Sequence, residues 1–91
     1  MIWDTTKTAT AVFPNGEEVT FKWRVPTMRD YEELGETDGS NETYLKKFLI
    51  SCDGFKDVEE LATTGGAQSL IKVIINAIGE SANVEVTLKN A

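Results

Sequence analysis

The sequence predicts an α+β fold: an N-terminal antiparallel β-hairpin packed against three to four short helices, with room for a C-terminal strand. Three observations carry that prediction. Glu18 to Val25 alternates without a fault, with Val19, Phe21, Trp23 and Val25 on one side and Glu18, Thr20, Lys22 and Arg24 on the other, the pattern of a strand with one face on a core and one in water. Pro14-Asn15-Gly16 stands just before it, in the order that suits a tight turn. Beyond Pro26 the apolar period lengthens from two to three or four and stays there through Ile78, the spacing of amphipathic helices.

The hairpin runs over residues 8–25. Thr8 to Phe13 is its first strand. Proline presets φ at the first turn position and glycine takes a positive φ without steric cost, which fits a three-residue loop closed by a glycine bulge. That loop sets Phe13 opposite Glu17, Ala11 opposite Val19, Ala9 opposite Phe21 and Lys7 opposite Trp23. A two-residue Asn-Gly turn would pair Val12 with Val19 and put Thr8 and Thr10 on the core face, and is the less favoured alternative. An isolated hairpin is marginal in water, so other elements must cover Phe21 and Trp23; the helix expected over Tyr44–Cys52 is the predicted cover.

Residues 27–80 form the helical part. Pro26 ends the second strand because it has no N–H to give a ladder. Thr27 then caps a short acidic helix over 28–36, with Asp30 three residues on and Met28, Tyr31 and Leu34 as a narrow apolar stripe. Ser40 caps a second helix, in which Tyr44, Leu45, Phe48, Leu49 and Cys52 form the stripe and Asp53-Gly54 the stop. Phe55 reads as an apolar plug. Asp57 opens a short helix that breaks at Gly65-Gly66. Residues 67–78 form the last clear helix, with Leu70, Ile71, Ile74, Ile75 and Ile78 in a stripe and Gly79 as its end cap. In the ambiguous tail, 81–91, Val84, Val86 and Leu88 alternate as a strand would; a continued helix through Gly79 is the less favoured reading, at a cost of about 1 kcal/mol. Trp3, in the lead-in, reads as a plug over the sheet.

The 91 residues suit a single domain over 1–91. With no apolar run of about 18 residues and no apolar N-terminal segment, neither a membrane span nor a signal peptide is expected, and the expected location is cytoplasmic. One cysteine makes no internal disulfide. The net charge of −6 opposes binding to nucleic-acid phosphates. Acidic residues gather at 17–18, 30–38 and 57–60, where solvated helix faces and helix N-termini are the plain explanation and a DNA-mimicking surface the sharper one.

The chemistry-bearing patterns are thin. There is no histidine, and a lone cysteine cannot build a zinc site. Cys52 lies on an apolar stripe with no base partner, so a buried side chain is expected rather than a nucleophile. Thr63-Thr64-Gly65-Gly66 lacks the lysine and spacing of a phosphate loop, and Asp53-Gly54 with Asp57 is too short for a calcium loop. Asn41-Glu42-Thr43 matches a glycosylation acceptor without a secretory context. Arg24 and Arg29 flank Pro26, where ion pairs with acidic helices are expected. No enzymatic activity and no cofactor is expected.

The order of pieces carries more. A strand ends in Val25-Pro26-Thr27 and an acidic helix follows. An aliphatic helix then closes on Phe48-Leu49-Ile50-Ser51-Cys52-Asp53-Gly54-Phe55, and after the break at Gly65-Gly66 comes a last aliphatic helix with Ile74-Ile75-Asn76-Ala77-Ile78. Over residues 18–80 this resembles the tail assembly chaperones of long-tailed bacteriophages, whether phage or prophage. Their Pro-Thr-like step, Trp-Asp-Gly-like knot and Pro-Gly helix entry have short, degenerate counterparts here. Cys52 stands where an aromatic is common, and Gly65-Gly66 replaces Pro-Gly. The resemblance implies a non-enzymatic protein of the bacterial cytoplasm that binds the apolar tape-measure protein and recruits tail-tube subunits. It involves neither nucleic acid nor membrane and leaves self-association into a homo-oligomer open. Apolar surface at Tyr31, Leu34, Leu70, Ile71, Ile74, Ile75 and Ile78 would supply the contacts. It also implies a longer form made by frameshifting near Leu88-Lys89-Asn90. The alternatives are a structural virion component, in the tail tube or head–tail connector, and an acidic DNA-mimic inhibitor.

Overall fold

A computed structural model of the chain describes residues 5–83 and Lys89. The elements are β1 (Thr6–Val12), β2 (Glu18–Arg24), α1 (Met28–Leu34), α2 (Asn41–Phe48), β3 (Leu49–Cys52), α3 (Val58–Thr63) and α4 (Gln68–Ser81). The strands form an antiparallel sheet of order β1-β2-β3. Among the described residues, four helices and an N-terminal hairpin make the α+β class a property of the structure.

The hairpin has the expected register, with Ala9 opposite Phe21, Ala11 opposite Val19 and Lys7 opposite Trp23. The three-residue loop closes on two hydrogen bonds: Phe13 N–H donates to Glu17 O at 2.8 Å and Gly16 N–H to Phe13 O at 2.9 Å. Gly16 sits at φ 90°, which a Cβ would disfavour. Phe21 and Trp23 are buried and stack with ring centroids 5.3 Å apart. Pro26 is buried just past the end of β2, and Val25, expected on the packed face, is half-buried beyond the strand.

Two boundaries differ from the sequence reading. The helix expected to run to Cys52 stops at Phe48, and Leu49–Cys52 becomes the third strand. The apolar spacing of Leu45, Phe48, Leu49 and Cys52 satisfies both shapes. The open edge of β2 decides between them, because it offers a ladder with Cys52 opposite Phe21 and Leu49 opposite Trp23, and such tertiary pairing overrides local periodicity. A bulge between Lys22 and Trp23 absorbs the change of direction. Second, α4 continues through Gly79 to Ser81. A mid-helix glycine costs about 1 kcal/mol, and the extra turn lets Ser81 Oγ accept a hydrogen bond from Trp23 Nε1 at 2.9 Å while donating to Ile78 O.

That bond also identifies the cover of the hairpin. α4, rather than the α2 segment, is the main helix laid across β1 and β2. Small Ala9 and Ala11, half-buried on β1, leave room for it. The core joins Phe21 and Trp23 to Leu45 and Phe48 of α2, Cys52 of β3, Leu61 of α3, and Ala67, Leu70, Ile71, Ile74 and Ile78. Three caps form as the sequence predicts, with Thr27, Ser40 and Asp57 side chains accepting from Asp30, Thr43 and Glu60 N–H. Trp3 and the alternating Val84, Val86 and Leu88, on which the expected plug and C-terminal strand fall, lie outside the described residues.

Candidate partner-binding groove

The site begins with how α1 is held. Arg24, on the outward side of β2, reaches Asp30 with two hydrogen bonds, Nη1 to Oδ2 at 2.7 Å and Nη2 to Oδ1 at 3.2 Å. Asp30 is 8% exposed and closes a reciprocal capping box with Thr27. The Arg24 hydrogen bond, assisted by the bonds from Thr27, holds the Asp30 carboxyl far below the usual carboxylate range in spite of burial. The same bond raises the Arg24 pKa. Lys47 of α2 adds Nζ–Oε2 and Nζ–Oδ1 contacts of 2.6 Å to Glu33 and 3.8 Å to Asp30. Arg24 lies over the Phe48 ring, 5.1 Å from its centroid. Thus α1 is tied to β2 and α2 by charge, with Phe48 beneath. The pairing expected of Arg24 is present.

Tyr31 and Tyr44 each pack on Phe48, at centroid distances of 6.3 Å and 4.9 Å. They line one wall of an open groove of about 470 Å³ whose other wall is α4, through Ile75 and Gly79, with Asn76, Glu80 and Asn83 at the rim. Burial first, then the adjacent Tyr31 phenol, push the Tyr44 phenol well above its ordinary pKa. It is therefore a neutral hydroxyl at any physiological pH. Gly79 leaves space opposite the phenol, since a Cβ built there would lie 3.9 Å from Tyr44 Oη.

The seven residues singled out in the sequence separate into two groups. Leu70, Ile71, Ile74 and Ile78 are at most 9% exposed and belong to the chain's own core. Tyr31 is 42% exposed, while Leu34 and Ile75 are half-buried. Only Tyr31 and Ile75 come together in the groove; Leu34 does not line it. Two lining residues are not singled out by the sequence: Tyr44, which periodicity assigns to the core stripe, and Gly79, which reads as a helix end. An amphipathic phenol at the edge of a stripe is the signal that could have marked the first.

A second depression, of about 360 Å³, lies outside β3. Leu49, Ile50, Cys52, Phe55 and Val58 line it, with Lys46, Lys56 and Glu59 around them. Its one thiol is buried, and burial, with the charge of Asp53, pushes the Cys52 pKa up, which keeps it protonated and weakly nucleophilic. Of its two carboxylates, Asp57 is taken up in capping α3, accepting from Glu60 N–H at 2.8 Å, and Glu59 lies in the first turn of that helix. Among the described residues no group of three or more His, Cys, Asp or Glu side chains is placed to hold a metal ion, and no helix is long and apolar enough to cross a membrane.

The acidic run over residues 30–38 is engaged in part, with Glu32 and Glu36 exposed. Asp30 and Glu33 are paired, and Asp38 accepts from Ser40 N–H and Thr43 Oγ1 at 3.0 Å and 2.9 Å. The fold and the groove together define a small α+β protein with an open recess between α1, α2 and α4, lined by Tyr31, Tyr44 and Ile75. No family model, no curated protein and no solved structure matches the chain.

Proposed function

We propose that the chain is a non-enzymatic tail assembly chaperone of a long-tailed phage or prophage, acting in the bacterial cytoplasm by binding the tape-measure protein and recruiting tail-tube subunits. The observation that carries the reading is the groove between Tyr31, Tyr44 and Ile75. An exposed aromatic recess backed by a rigid core is what transient capture of an apolar helix requires. The order of sequence pieces supports it: the Val25-Pro26-Thr27 step enters a capped helix, and Asp53-Gly54-Phe55 forms a tight knot in which Phe55 N–H bonds to Cys52 O at 3.1 Å. The DNA-mimic alternative is weakened by the internal pairing of the α1 acids.

Co-expression tests the proposal. A tape-measure protein encoded beside this chain should be soluble and co-purify with it, and should aggregate without it. Purified particles should lack the chain. Presence of the chain in the virion in stoichiometric amount would favour a structural component, and a tape-measure protein indifferent to the chain would sink the chaperone reading.

A further inference from the structure

We infer that the groove between α1, α2 and α4 takes a basic amphipathic helix, with apolar side chains laid on Tyr31 and Ile75 and a lysine or arginine set against Glu80. Its natural source, a partner in tail assembly, rests on the function proposed above; the chemistry of recognition rests on the groove itself.

Three features select that occupant. The residues facing the groove come from helices and the turn that ends α4. Helix amides are spent on bonds within each helix, so the walls offer no backbone ladder to an extended segment. A helix arrives with its backbone satisfied. The lining then supplies the apolar contact: Tyr31 and Tyr44 stand on one wall and Ile75 on the other. Tyrosine in a partly desolvated recess is a common anchor of binding energy. Finally, the charge is one-sided. Among the described residues that line the groove, Glu80 is the one charged side chain, and the whole chain carries −6. An acidic helix would meet repulsion at the rim and in the longer-range field, and a basic one attraction.

The other candidate surface, the depression outside β3, has lysines and carboxylates around it in equal measure and so selects no sign of charge.

The full 91-residue chain is titrated with two labelled 18-residue peptides that share one leucine stripe, one with lysines and one with glutamates on the polar face. A third peptide repeats the basic sequence with a central proline that breaks the helix. The basic helix should bind, should weaken as salt rises, and should outcompete the acidic and proline peptides. Glu80→Lys should weaken it roughly 2–5-fold, the scale of an exposed ion pair. Tyr31→Ala should weaken it by about tenfold or more. Both residues are exposed, and unchanged melting of each variant shows that the fold is intact. Equal binding of the acidic or proline peptide, no binding of any peptide, or variants that bind as the parent does would each overturn the inference. If the tape-measure protein is captured equally by parent and variants, the chaperone reading stands and this groove is not its site. If the basic helix binds as expected while no tape-measure protein is captured, the groove stands and the chaperone reading falls.

Discussion

Asp30 does the work of several residues. It closes the capping box of α1, anchors Arg24, and lies within reach of Lys47. Because its pKa is depressed in the fold, its contribution is present above the carboxylate's unfolded pKa of about 4 and is lost as pH falls toward the depressed folded value. Asp30→Asn should cost about 2–3 kcal/mol near neutrality, combining a charge-assisted hydrogen bond with most of a cap. The gap in melting temperature between parent and variant should narrow steadily below pH 4. A gap that stays constant down to pH 2 would mean that the carboxylate's charge is not what stabilises α1. Sequence reading reached this residue in part. Thr27 and Asp30 are three apart, which marks a cap, and Arg24 stands close to the proline. The bidentate geometry and the burial of Asp30 depend on how β2 turns into α1, which spacing does not contain.

At the scale of elements, the strongly periodic pieces were legible and the ambiguous ones were not. The hairpin register followed from three loop residues, since Pro14-Asn15-Gly16 fixes which side chains oppose each other. β3 did not, because its four residues fit a helix stripe as well as a strand and the choice belongs to β2. The end of α4 was hidden for a similar reason: Gly79 is a stop signal that a bond 58 residues away, between Trp23 and Ser81, overrides. For the groove, Tyr31 and Ile75 were legible as members of apolar helix stripes, while Tyr44 and Glu80 join them only once α2 and α4 meet. Trp23→Ala should therefore cost about 3–5 kcal/mol through the lost ring, and Ser81→Ala about 1 kcal/mol through the lost bond. Urea midpoints check both; a parent-like midpoint for Trp23→Ala would show that the hairpin face is not the core. In the knot, Gly54 has φ 86° with open space around its Cα. Gly54→Ala should cost roughly 1–2 kcal/mol from backbone strain alone, without disturbing the packing of Phe55. Loss of the native Trp emission in that variant would mean that the knot carries more than a turn.

For the molecule as a whole, the question is whether the hairpin and the helices are one cooperative unit. Among the described residues, five of the eleven buried hydrophobic ones, Ala67, Leu70, Ile71, Ile74 and Ile78, come from α4 and the residue that opens it, and α4 lies on β1 and β2 while also touching α2 and α3. A domain of this length buries only about 60–65% of its unfolded surface, which leaves little margin for losing such a share of the core. A fragment ending at residue 66 should thus be unfolded throughout, with far-UV circular dichroism of a coil and water-exposed Trp emission, even though it retains both strands of the hairpin and three helices. In the intact chain Ile74→Ala should cost about 2–5 kcal/mol and shift the far-UV and Trp transitions together, because Ile74 is fully buried where α4 meets the rest. Separate transitions, or a 1–66 fragment with native-like Trp emission, would show instead that the hairpin folds on its own and that α4 merely docks on it. That outcome would also change the groove, since its α4 wall would then be a mobile element rather than part of a rigid recess.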